Sequence, residues 1–115
     1  MALARARLAD IAYVASSAGS IYSNPASTKT YIKGITLFNG NATAELVKLY
    51  NVPDSSGSLG AAGAGNQFAE VTLQAKETLI MEFPSTLVLT DTNDSIQAVT
   101  TTASKVTVMI GGDKE

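Results

Sequence analysis

The chain has 115 residues, of which 45% are apolar and 16% charged, and its formal net charge is −2. A charged share below the usual figure of about a quarter argues against wholesale disorder, and the acidic balance argues against nucleic acid or an anionic membrane as partner. Cysteine and histidine are both absent, which excludes a disulfide framework, a thiolate zinc site, a cysteine nucleophile and a serine–histidine triad, and argues strongly against most enzymes.

Residues 1–18 are rich in alanine and carry Arg5 and Arg7. A secretory core needs about 7–15 uninterrupted apolar residues. Here Asp10 leaves only Ile11 to Ala15, so the expectation is synthesis without export. The segment reads as an N-terminal arm. It is either a helix with Leu3, Arg7 and Ile11 on one face or an extended segment, and it reads either as a frayed terminus or as an arm that docks on a neighbouring subunit and pairs its arginines with carboxylates.

Residues 19–111 read as one β-sandwich domain. Thr30 to Asn39 (TYIKGITLFN) is rich in β-branched and aromatic residues. Strict alternation puts Ile32, Thr36 and Phe38 on one face and Tyr31, Lys33, Ile35 and Leu37 on the other, so a central strand is predicted. Asn39-Gly40 is a strong hairpin signal, and it predicts that Ala44 to Val52 pairs back on that strand. Asp54 to Gln67 (DSSGSLGAAGAGNQ) reads as a flexible loop. Phe68 to Leu73 resumes as a strand. Ala75-Lys76 turns the chain into Glu77 to Phe83, where Leu79, Met81 and Phe83 oppose Ile80 and Glu82. A short strand is expected over residues 86–90. Asp91 to Asp94 forms a turn, and Ser95 to Thr101 and Lys105 to Ile110 form a last pair with Val106, Val108 and Ile110 on one face. Residues 112–115 are a polar tail. About seven or eight strands at 8–12-residue spacing predict an all-β sandwich, jelly-roll-like.

Candidate chemistry is sparse. Asp91, Asn93 and Asp94 could present oxygens to a hard cation, but the spacing is that of side chains bonding their own turn. Glu70, Glu77 and Glu82 read as solvated strand positions and not as a catalytic carboxylate pair. The glycines of residues 57–65 lack the Lys-Ser/Thr of a phosphate loop. Tyr13, Tyr22, Tyr31 and Tyr50 read as rim-of-core residues, with sugar stacking as their functional alternative. No catalytic residue, cofactor or metal ligand is expected. The expected partner contacts are Arg5, Arg7, Tyr13, Tyr22 and Leu59.

The strand-and-turn pattern resembles that of the small β-sandwich structural proteins of tailed-phage virions. The residues that carry the likeness are Ile21-Tyr22, Thr30 to Asn39, Ala44 to Pro53, Glu77 to Phe83 and Asp91 to Ile110. The resemblance implies a non-enzymatic capsid cement or decoration protein on the virion surface. It would clamp neighbouring major capsid subunits and act as a homotrimer without nucleic-acid or membrane partners. The alternative it leaves is a tail or baseplate accessory that binds host glycans.

Overall fold

The structure, a computed structural model that describes residues 3–84 and 87–115, is a sandwich of two antiparallel sheets. The strands are β1 (Ala4–Tyr13), β2 (Gly19–Ser23), β3 (Thr30–Asn39), β4 (Glu45–Val52), β5 (Gln67–Leu73), β6 (Thr78–Glu82), β7 (Val88–Leu89), β8 (Ser95–Thr100) and β9 (Val106–Lys114). One sheet runs β1-β9-β3-β6, with the two-residue β7 also on β3; the other runs β2-β8-β4-β5. Apart from β7, the pairs nest from the outside of the sequence inward: β1 with β9, β2 with β8, β3 with β6, β4 with β5. That wrapping is the double Greek key of a jelly roll. Among the described residues no helix is long and apolar enough to cross a membrane.

The topology changes three local expectations. Asn39-Gly40 does not close a hairpin, because β3 and β4 belong to different sheets. Asn39 is buried, and its amide donates to the carbonyls of Thr43, Leu73 and Gln74, which holds a corner between the sheets. The last two long strands are likewise not a pair: β8 and β9 lie in opposite sheets. The arm and the tail are strand as well. Ala4 to Arg7 pairs with Gly111 to Lys114, and β9 in turn pairs with β3. Of the short strand expected at 86–90, Val88–Leu89 is observed, and Thr86 lies outside the described residues.

The core sits between the sheets. Ile32, Ile35 and Leu37 of β3 and Val106, Val108 and Ile110 of β9 meet Val47 and Leu49 of β4 and Ile96 and Ala98 of β8. Each large aliphatic side chain buried this way contributes about 1.5–3 kcal/mol. Ile32 and Ile35 share that face because β3 bulges at Lys33: Ile32 pairs with Gly112 and Gly34 with Gly111. One extra residue reverses the alternation. Hence Ile32 joins Ile35 and Leu37 inside, and Thr36 and Phe38 turn outward, which strict alternation misassigns. At the open side of the sandwich, Phe68 of the bulged β5 meets Phe83 edge-to-face, with centroids 6.0 Å apart.

Candidate functional site

The two outer faces of the sandwich are built differently. On the β2-β8-β4-β5 sheet the outward positions include Val52, Tyr50, Ser95 and Gln97, yet all four are buried. The segment after β4 covers them. It includes a 3-10 turn at Ala64–Asn66. The Gln97 amide donates to the Gly60 carbonyl at 2.9 Å. Gly60 approaches the strand so closely that a Cβ there would run into the Pro53 carbonyl and sit 2.9 Å from Val52 Cγ1. The stretch that composition marks as a flexible loop is therefore pinned at its middle.

Its base is pinned by a carboxylate. Asp94 Oδ1 accepts from the Asp54 N–H at 2.9 Å, and Oδ2 accepts from the N–H groups of Thr90 and Asp91 at 3.1 and 2.9 Å. Burial pushes the Asp94 carboxyl up, but those backbone donors outweigh it and hold it below its ordinary value. Asp54 Oδ2 accepts from Gly57 N–H, and the Asn93 amide donates to the Gly57 carbonyl. Asp54, Asp91 and Asp94 bring carboxylate oxygens within 4.8 Å of one another. Asn93, the third member of the sequence-predicted cluster, faces the loop instead. Both Asp94 oxygens are occupied by backbone donors, so the cluster works as a knot between loops.

The face of the β1-β9-β3-β6 sheet has no such cover among the described residues. Across its strands the outward residues fall into rows. The first is Tyr13, Thr107, Phe38 and Thr78; the second centres on Met109, Thr36 and Ile80, with the bulged Asp10-Ile11 of β1 opposite Met109. Ile11, Tyr13 and Ile80 are each about two-thirds exposed (65%, 64% and 65%), and Phe38 and Met109 are exposed as well. Singly exposed apolar residues are ordinary, but a contiguous set on one face marks an interaction surface.

The third row is Arg7, Gly111, Gly34 and Glu82, and the fourth is Arg5, Asp113, Tyr31 and Val88. With no side chains on Gly34 and Gly111, the sheet is bare there. A trough of about 680 Å³ opens beside it, lined by Arg5, Ala6, Arg7, Lys33, Gly112 and Asp113. A second trough of about 410 Å³ continues over Gly34 and Gly111 toward Met109. Gly112 cannot be another residue without a shift, because a Cβ would run into the Tyr31 carbonyl and crowd Leu8.

Of the five expected contacts, Arg5, Arg7 and Tyr13 lie on this face. Leu59 is exposed on the covering loop. Tyr22 is a correction: it is buried, and its hydroxyl lies 3.1 Å from that of Thr30, which itself donates to Asn24 at 2.6 Å. The four tyrosines do not gather, since Tyr50 lies under the loop and Tyr13 and Tyr31 stand in the first and fourth rows. Sequence reasoning singled out Arg5 and Arg7 but missed Lys33, Gly34 and Gly111. The available signal was the glycine pair 111–112 at the end of an apolar strand, where glycine marks a bulge or close approach. No protein-family model matches the chain, and no curated protein matches it.

Proposed function

We propose that the protein is a virion structural protein, a capsid cement that docks on the surface of a phage head and clamps neighbouring major capsid subunits. The observation that supports this reading most is the contrast between its faces. One sheet carries its own cover; the other presents Ile11, Tyr13, Phe38, Ile80 and Met109 to solvent. A rigid sandwich with an uncovered apolar face is suited to work by contact. The jelly-roll wrapping supports the reading from a second side, since capsid proteins use it, although lectins and cupins use it too. On this proposal the protein acts as a homotrimer. Repeated sites on a lattice then turn modest individual contacts into a durable clamp.

The test is to strip the protein from heads, add it back and follow heat-induced DNA release. Added protein is expected to raise the release temperature, and Ile80→Asp with Met109→Asp to abolish the gain while leaving the free protein folded. Equal release temperatures with and without protein would sink the reading. Scattered tyrosines leave the glycan-binding alternative without a stacking platform.

A further inference from the structure

We infer that the glycine-floored trough on the bare sheet binds an extended acidic segment of a partner protein, one with carboxylates at alternate positions. The inference rests on the docking reading above and names the partner's chemistry at that face.

The first observation is where the positive charge lies. The chain is net acidic, with eight Lys and Arg against ten Asp and Glu. Three of those eight cations, Arg5, Arg7 and Lys33, line one trough, and among the described residues Asp113 is its one lining carboxylate, with Asp10 against Arg7 and Glu82 at the far end of the same row beyond Gly34. Their charges are weakly held. Arg5 and Lys33 have no ion pair among the described residues. Lys33 Nζ donates to the Pro84 carbonyl at 3.0 Å, which leaves its charge uncompensated. Arg7 meets Asp10 at 3.0 Å, but both side chains are largely exposed (74% and 81%). An exposed pair of that kind is worth at most about 1 kcal/mol and exchanges readily.

The second observation is spacing. Arg5 and Arg7 face outward on one strand, opposite Asp113 and Gly111. Residues two apart on a strand are about 6.6–6.8 Å apart. An extended segment presents alternate side chains at the same repeat, so two carboxylates at alternate positions would meet two guanidinium forks in step. The third observation is the floor. Gly112 lines the trough itself, and Gly34 and Gly111 line its continuation past Arg7, so a second chain can lie low on the sheet beside that guanidinium. Where the trough runs on toward Met109 and Thr36, an apolar residue of the same segment would find an apolar seat.

The full-length, isotope-labelled protein is titrated with a synthetic peptide of alternating aspartate and valine, and amide shifts are followed by NMR. Shifts are expected at Arg5, Arg7, Lys33, Gly34, Gly111 and Gly112, weakening as salt rises. The same peptide with lysine for aspartate is expected to give none. Arg5→Glu with Arg7→Glu should weaken binding at least about tenfold, since charged hydrogen bonds are lost at two sites. Both side chains are exposed, so melting should fall by only a few degrees, from the lost Arg7–Asp10 pair and the new charge opposite Asp113. Arg5→Lys with Arg7→Lys should fall between, because lysine keeps the charge and loses the fork.

No shifts, shifts elsewhere, or an unaltered double-Glu variant would overturn the inference. Trough shifts with oligothymidylate in place of the peptide would assign the trough to nucleic acid instead. Trough shifts on concentrating the protein alone would assign it to a second copy. The stripped heads separate the two proposals. Uptake of wild type and the double-Glu variant alike would overturn this inference and keep the cement reading. Peptide binding at the trough with no uptake by heads would do the reverse.

Discussion

The β2-β8-β4-β5 and β1-β9-β3-β6 sheets contribute comparable aliphatic side chains to one core, but their outer faces have opposite fates. The first folds residues 54–66 back over Tyr50, Val52 and Gln97 and fixes that cover at Gly60 and Asp94. The second leaves Ile11, Ile80 and Met109 in water and bares its backbone at Gly34 and Gly111. Burying the first set adds stability to the monomer. Leaving the second exposed costs solubility and gains the monomer nothing, unless a partner covers it. Substitutions on the covered face should therefore register as stability, and those on the bare face as association.

The largest effect is expected where the bare face meets the core. Gly112→Ala would place a Cβ against the Tyr31 carbonyl and Leu8. Backbone cannot yield as a side-chain end can, so a loss of about 3 kcal/mol or more is predicted, read as a lower denaturant midpoint. A wild-type midpoint would mean that β3 and β9 sit further apart than described.

The next effect belongs to the covered face. Gln97→Ala removes the donor to the Gly60 carbonyl and leaves a space beside Tyr50. A loss of about 1–3 kcal/mol follows from the unsatisfied polar group. Hydrogen exchange should rise across residues 54–66 while the bare sheet stays protected. Uniform loosening of both sheets would show that the cover is not a separate unit.

Acid should sharpen the same contrast. Asp94 holds the base of the cover. Glu45, also buried, accepts from Thr102 N–H at 2.8 Å, from the Thr100 hydroxyl at 3.2 Å and from the Asn41 amide at 3.1 Å. Burial pushes the Glu45 carboxyl up, but the Thr102 backbone donor and the side-chain donors win and hold it below its ordinary value. A carboxyl depressed in the folded state adds stability above its unfolded pKa and loses it as pH falls through the folded one. The cover should thus hold at neutral pH and open below the ordinary carboxylate range. Asp94→Asn should flatten that acid limb in an unfolding series against pH; an unchanged limb would remove Asp94 from the cause.

The sandwich was legible because apolar alternation survives in Leu79-Met81 and Val106-Val108-Ile110, where the pairing with β3 is unbroken. Pairing partners were not legible. Asn39-Gly40 is a hairpin signal in any local reading, and only the burial of Asn39 among carbonyls from β5 and its turn makes it a corner. The cover was hidden for a related reason. Glycine and serine announce mobility, whereas the contacts that hold the loop come from Gln97 and Asp94, some forty residues on. Arg5 and Arg7 stood out at once as charges in an alanine-rich stretch. Lys33 did not, because its bulge exists only in register with Gly111 and Gly112.

The smallest expected effect is also the most diagnostic of the bare face. Ile80→Thr and Met109→Thr, made singly, keep residues that suit a strand and change side chains already in water. Each should move stability by no more than about 0.5 kcal/mol. Truncation to Ala of Leu49, fully buried on the other side of the core, should cost about 2–5 kcal/mol. Should Ile80→Thr unfold the protein nearly as readily as Leu49→Ala, the residue must already be covered in solution. The face would then be a buried interface of the assembled protein, and its partner would be a structural part of the folded state.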